Sequence, residues 1–135
     1  MSVIDRKKPL KKRSVKSPSK ANAAGLSAKP SRVAELRHRM HLTQAVFARL
    51  IPVSLRSLAT LESGKPPTDA VARRLTELRR LINALSEVIN KESLGAWLQT
   101  PNEAFDGLKP LEVIDRGESD RIWSMIYFLR SGVAS

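Results

Sequence analysis

Up to residue 30 the apolar residues show almost no period; beyond it they settle into helical spacing. Val33, Leu36 and Met40 share one helical face, which predicts a first helix from a Ser31 N-cap to near His41. Thr43 is placed to cap a second helix, with Phe47, Ala48 and Ile51 turned inward. Pro52 cannot continue that helix, because it lacks an N–H and its ring clashes with the preceding turn. Ser54 then offers a cap for a third helix, with Val53, Leu58 and Leu61 inward and Gly64 followed by Lys65-Pro66-Pro67 as the stop. Thr68 caps a fourth helix, for which Val71, Leu75, Leu78, Ile82, Leu85 and Ile89 predict a long apolar stripe.

After Asn90 the pattern breaks into short pieces. A helix is expected over 93–98, a one-turn piece from Pro101 to Asp106-Gly107, and a helix opened by Pro110 and stopped at Gly117. A last helix starts at Glu118 or Ser119 and ends at Gly132, with Ile122, Trp123, Ile126 and Leu129 expected inward. Trp97, Phe105, Trp123 and Phe128 are expected to fill the core, though such residues also anchor interfaces. The fold class is all-α. No strand pattern competes, and the scarcity of aromatics leaves the core to Leu, Ile, Val and Ala.

The segment Leu42–Gly64 reads as helix, sharp turn, helix, stop, the arrangement of a helix-turn-helix DNA reader. The charge agrees with it. The net charge of +11 is distributed as +8 over residues 1–30 (nine Lys/Arg, one acid), +5 over 31–90 (ten against five) and −2 over 91–135 (five against seven). Such an excess favours a polyanion, and only in the first two-thirds of the chain. Residues 1–30 cannot bury enough apolar surface to offset their ordering entropy, so a disordered basic arm is expected, able to lie on phosphate or in a minor groove. The domain reading is a basic tail over 1–30, a helix-turn-helix domain over 31–89 and a smaller helical unit over 90–135.

Leu42-Thr43-Gln44, the small Ala48, Val53-Ser54 opening the next helix and Leu61-Glu62-Ser63-Gly64-Lys65-Pro66-Pro67 closing it resemble the Xre/phage-repressor class of helix-turn-helix domains over roughly residues 31–75. The chain departs from that class at Pro52, where the family usually has glycine. The resemblance implies a phage-repressor-like helical bundle whose third helix enters the major groove, its matching positions being Ser54, Leu55, Arg56, Ser57 and Thr60. Arg56 is the candidate for guanine O6 and N7, and Leu55 for a thymine methyl. Gln44 matches a phosphate-contacting position, and Ser63 and Lys65 lie where the loop meets the DNA backbone. Glu62 is expected to serve as a partner within the bundle, because a carboxylate facing phosphate is unfavourable.

The last third is similar to the Xre/MbcA/ParS-type toxin-binding domain of bacterial antitoxins. The matching residues are Trp97-Leu98, Thr100-Pro101-Asn102, Phe105, Gly107, Pro110-Leu111, Ile114, Gly117 and Gly132. The resemblance implies the antitoxin of a type II toxin–antitoxin pair, with Trp97, Pro101, Asn102, Phe105, Arg130, Ser131 and Gly132 as candidate toxin-binding residues. It further implies a RES-like toxin that consumes NAD or transfers ADP-ribose, neutralised by occlusion of its active site, and repression of the pair's own operon. The alternative is a stand-alone repressor whose C-terminal unit only dimerises.

Several classes of chemistry find no footing. The chain has no cysteine, which excludes disulfides and thiolate metal sites and suits a reducing bacterial cytoplasm, with nucleoid association on an operator. No apolar run approaches the roughly 20 residues of a membrane span. His38 and His41 stand three residues apart without a third ligand nearby, so no metal is expected. No nucleophile–base pair or phosphate-cradling glycine loop appears, so neither an enzyme nor a cofactor is expected. The expected partners are a toxin protein, double-stranded operator DNA and a second copy of the chain.

Overall fold

The computed structural model describes residues 31–132; the basic arm over 1–30 lies outside them. Within that span the chain is helical, with no strand among the described residues. The helices are α1 (Arg32–Arg39), α2 (Gln44–Leu50), α3 (Leu55–Glu62), α4 (Asp69–Leu85), α5 (Lys91–Leu98), α6 (Pro110–Asp115) and α7 (Ser119–Ser131), with a 3₁₀ turn at Glu103–Phe105 between α5 and α6.

Local chemistry sets most of the boundaries. Ser31, Thr43, Ser54 and Thr68 each take the N-cap position in extended conformation, their side-chain oxygens accepting from the N–H groups of Ala34, Val46, Ser57 and Val71. Each cap satisfies one of the free donors of a first helical turn. Gly64, Gly107, Gly117 and Gly132 supply the left-handed residues that end the segments before them. Pro110 begins α6, and the Lys109 N–H donates to Glu112 Oε1 at 2.8 Å, closing that helix start from the other direction.

One apolar cluster runs from Val33 to Ile126, drawing buried residues from all seven helices and Phe105 of the 3₁₀ turn. α2 packs on α3, α1 touches α3 and α5, α2 meets α6, and α4 meets α7. The C-terminal helices therefore complete the same core that α1 to α4 begin.

Two expectations need correction. α4 ends at Leu85 rather than Ile89. Ser86 turns its hydroxyl back to the Ile82 carbonyl at 2.8 Å, a local bond that competes with helix continuation, and Val88 and Ile89 fold over the Leu85 carbonyl instead. On α7, Ile122 and Ile126 are buried, but Trp123 and Leu129 are not: they are 37 % and 48 % exposed. Trp123 sits about 100° around the helix from Ile122, and only the narrow stripe through Ile122 and Ile126 faces the core. Phe128 is likewise exposed, whereas Phe105 is enclosed and Trp97 half-buried.

Candidate functional surfaces

The turn between α2 and α3 works without the glycine usual at this place. The Val53 N–H reaches the Ala48 carbonyl at 3.0 Å, and no residue from Ile51 to Ser54 has a positive φ. A turn with no left-handed residue imposes no demand for glycine, so Pro52 is compatible with it.

Ser54, Leu55, Arg56, Ser57 and Thr60 are all exposed on α3. Their polar groups are unevenly committed. The Ser54 hydroxyl accepts from the Ser57 N–H and donates to the Ser57 hydroxyl, and Thr60 Oγ1 donates to the Ser57 carbonyl. Arg56 has no hydrogen-bond or ion-pair partner among the described residues, which leaves its guanidinium free for a ligand. Leu55 is 52 % exposed, an apolar side chain in solvent beside it.

The far end of α3 is held by a small half-buried network. Glu62 receives Arg37 through Nε at 2.6 Å and Nη2 at 3.0 Å, and the Gln44 amide nitrogen at 3.0 Å. Arg37 Nη1 also donates to the Leu42 carbonyl at 3.0 Å. The Arg37 hydrogen bonds hold the Glu62 carboxyl below the ordinary carboxylate range; burial opposes this and Gln44 assists it. In turn the Glu62 hydrogen bond raises Arg37 above its usual value. Glu62 thus takes the structural role expected of it, and it also takes one of the two amide N–H donors of Gln44, leaving the other open. Ser63 and Lys65 follow at the same end, exposed around Gly64.

In the C-terminal unit the side chains divide into framework and surface. Phe105 is 1 % exposed and takes the edge of Trp97 at a centroid distance of 6.3 Å, with the Arg121 guanidinium over its ring at 5.9 Å. Arg121 ties that layer to its surroundings through Asp106 at 2.8 Å and Glu118 at 3.1 Å. Asn102 organises the 3₁₀ turn: its side chain accepts from the Ala104 N–H, and its carbonyl accepts from Phe105 and Gly107. Phe105 therefore offers a partner no surface, and Asn102 serves chiefly to shape the loop. Pro101, Arg130, Ser131 and Gly132 are exposed, with Arg130 paired to Glu87 at 3.3 Å.

The structure adds Trp123 and Phe128, which the pattern had assigned to the core, and Ser124 and Tyr127, for which it had given no role. Trp123, Ser124, Tyr127, Phe128 and Ser131 line a shallow groove along the solvent side of α7, with Tyr127 78 % and Phe128 46 % exposed. An aromatic face open to water on one helix marks an interaction surface more often than a defect. Nothing in residue type distinguishes these aromatics from Phe105; only their position around the helix does. No group of three His, Cys, Asp or Glu among the described residues is placed to hold a metal ion. No helix among them is long and apolar enough to cross a membrane.

Four similarities bear on these surfaces. Residues 84–121 match the model of the antitoxin Xre/MbcA/ParS C-terminal toxin-binding domain. The mycobacterial cidal antitoxin MbcA of Mycobacterium tuberculosis is 28 % identical over 110 residues, which is 81 % of this chain and 97 % of that protein. The probable mycobacterial cidal antitoxin Rv3188 of the same species is 32 % identical over 82 residues, 59 % of this chain and 70 % of that one. Among solved structures, the crystal structure of the M. tuberculosis MbcT–MbcA toxin–antitoxin complex holds a chain that superposes with a TM-score of 0.63 and 29 % identity, covering 76 % of this chain and 94 % of that chain.

Proposed function

The chain belongs to the family of antitoxins that carry the Xre/MbcA/ParS C-terminal toxin-binding domain, and from that premise we propose how it acts. It neutralises a cognate toxin by direct binding through residues 90–132. The observation that carries this reading is the aromatic face of α7, where Trp123, Tyr127 and Phe128 stand exposed just beyond residues 84–121, the span that matches the toxin-binding model. Aromatic side chains on a rigid helix are good interface anchors, because they bury a large area while freezing few rotors. The neighbouring Arg130 and Arg121 are paired with Glu87, Asp106 and Glu118, which leaves the exposed Asp120, beside Trp123, as a carboxylate unpaired among the described residues, at the edge of the face. A partner closing over the aromatic rings either offers Asp120 a cation or leaves it at the wet rim. Pro101 and the end of α7 at Arg130, Ser131 and Gly132 extend the contact, and Trp97, Phe105 and Asn102 support it from within. The toxin is of the RES-like kind, consuming NAD or transferring ADP-ribose, and is silenced by occlusion of its active site.

Residues 31–89 carry the second activity, recognition of operator DNA and repression of the operon. α3 enters the major groove, with Arg56 donating to guanine and Leu55 meeting a thymine methyl. Gln44, Ser63 and Lys65 contact phosphates at the other end of the motif. Two copies of the chain read two half-sites about one helical turn apart. The protein works in the cytoplasm, has no catalytic role and uses no cofactor.

Co-expression with a RES-like toxin, sought in the genes adjoining its own, tests the first activity. Growth should be rescued by the full chain and lost with Tyr127→Ala/Phe128→Ala at equal expression. If the double variant rescues fully, the α7 face is not the toxin site. If the full chain fails to rescue, the protein is a stand-alone repressor. A footprint on its own promoter tests the second activity, and a ladder of protection without a preferred site would refute operator reading.

A further inference from the structure

A second charged surface lies away from α3. On α1, Arg32, Glu35 and Arg39 stand at i, i+3 and i+7, on one flank of the helix; on α4, Arg79, Asn83 and Ser86 stand at i, i+4 and i+7. Arg39 pins the two rows together, donating to Asn83 Oδ1 at 2.8 Å and to Ser86 Oγ at 3.3 Å. Both acceptors are neutral, so the charge of Arg39 is held in place but not cancelled. Arg32 and Arg79 have no hydrogen-bond or ion-pair partner among the described residues, and Glu35 is the one carboxylate that offsets the group electrostatically. Burial, together with the nearby Arg32 and Arg39, pushes the Arg79 guanidinium below its usual value, with Glu35 opposing.

Three guanidinium groups facing one carboxylate repel each other, and a fold gains no stability from holding them together. Local arrangements that cost stability without a packing return are the ones to examine for function. Arg37, on the other flank of α1, faces Glu62 of α3, so this groove lies on the side of α1 away from the reading helix.

We propose that the groove between α1 and α4, with Arg32 and Arg79 as its open cations and Arg39 as its fixed wall, binds the phosphate backbone of duplex nucleic acid separately from α3. Two observations favour a polyanion over a protein. Among the described residues, the exposed large apolar ones are Leu55 on α3 and four on α7, none of them on α1 or α4. A protein interface needs an apolar centre depleted of charge, whereas a nucleic-acid interface needs neither. The groove also begins at the residue where the arm over 1–30 joins α1, and that arm carries nine Lys/Arg against one acid. The excess of positive charge thus runs on in sequence from residues 1–30 into α1, and backbone contacts made at the groove are independent of those made at α3. This inference rests on the DNA-binding reading above, and it adds a site to it.

The test is the salt dependence of binding by the full chain to a random-sequence duplex of about 30 base pairs, followed by fluorescence anisotropy. Each phosphate contact contributes about 0.9 to the slope of log K against log salt. Arg32→Gln/Arg79→Gln should make the slope shallower by about 1.8, and Arg32→Gln alone by about 0.9. Arg56→Gln on α3 gives an independent decrement, so the double and single variants separate the two sites. Because removing a repelled charge relieves strain, the thermal midpoint of Arg79→Gln should be unchanged or higher. If Arg79→Gln misfolds, the exposed Arg32→Gln still decides the matter. A slope unaltered by Arg32→Gln and by the double variant overturns the proposal and leaves an acidic protein as the occupant of the groove. If Arg56→Gln leaves the slope untouched while the groove variants lower it, the reading of α3 fails and the groove stands.

Discussion

The side chain of His41 lies directly on the backbone of Gly95: a Cβ added to Gly95 would meet His41 Cβ at 2.6 Å and the imidazole carbons at 2.7 and 2.8 Å. His41 reaches this position from a left-handed backbone conformation at φ 57°, just beyond the end of α1, and Gly95 lies within α5. The contact brings the N-terminal helices against the C-terminal unit at the closest approach a glycine permits.

Gly95→Ala should therefore destabilise the protein. Helix propensity alone would favour alanine by about 1 kcal/mol. The 2.6 Å overlap outweighs that gain, because neither helix can yield without disturbing the shared core. A net loss of about 1–2 kcal/mol is expected, read as a lower urea midpoint at unchanged slope. His41→Gly in the same chain removes the obstructing side chain and relaxes the left-handed residue, so the double variant should recover most of the loss. An additive double variant would mean that the two side chains do not meet.

Arg37 and Glu62 make a pH-dependent lock. The folded pKa of Glu62 is depressed, so its stabilising contribution is fully present above the unfolded carboxylate value, about 4.3. It is lost as the pH falls through the lower folded value. Thermal midpoints measured from neutral pH down to pH about 3 should fall on the acid side in the wild type. Glu62→Gln should lower stability at neutral pH by about 3 kcal/mol, the cost of stranding a largely buried partner, and should flatten the acid limb. An equally steep limb in that variant would assign the acid sensitivity to other carboxylates.

Arg74 bridges two helix ends: Nε donates to the Leu50 carbonyl of α2 at 2.7 Å and Nη2 to the Ile114 carbonyl of α6 at 3.2 Å. Both carbonyls lie in the last turn of a helix, where a cation is favoured, and that of Ile114 also accepts from the Gly117 N–H at 3.0 Å. Arg74→Lys keeps the charge but not the fork, and should cost about 1–2 kcal/mol in chemical denaturation. A change within error would show that water satisfies these carbonyls equally well.

Tyr127 and Phe105 predict opposite behaviour for chemically similar rings. Tyr127→Ala, at a position 78 % exposed, should leave stability within about 0.5 kcal/mol and weaken toxin binding by about 2 kcal/mol or more, measured calorimetrically with the cognate toxin. Phe105→Ala, at 1 % exposed, should cost about 3–5 kcal/mol of folding stability. Loss of binding without loss of stability at Tyr127 would separate surface from core.

What the sequence by itself determined was decided over short range. Ser31, Thr43, Ser54 and Thr68 stand immediately before helices and cap them, and Pro52 and Gly64 bound α2 and α3. These effects act within one turn of chain, so reading residues in order suffices. The apolar period likewise foretold the buried faces of α1 to α3 and, on α4, Leu75, Leu78, Ile82 and Leu85, and the Trp97-to-Gly132 pattern pointed to the antitoxin family. Tertiary structure decided everything that depends on which side of a helix finds a neighbour. Leu81 and Ala84 are buried beyond the expected stripe of α4, Trp123 and Phe128 face water, and Phe105 does not. The same holds for Arg39 against Asn83 and Ser86, across 44 and 47 residues, and for His41 against Gly95. Hydrophobicity says that a side chain favours burial, but the area a small all-helical domain can cover is limited, and packing chooses which residues receive it.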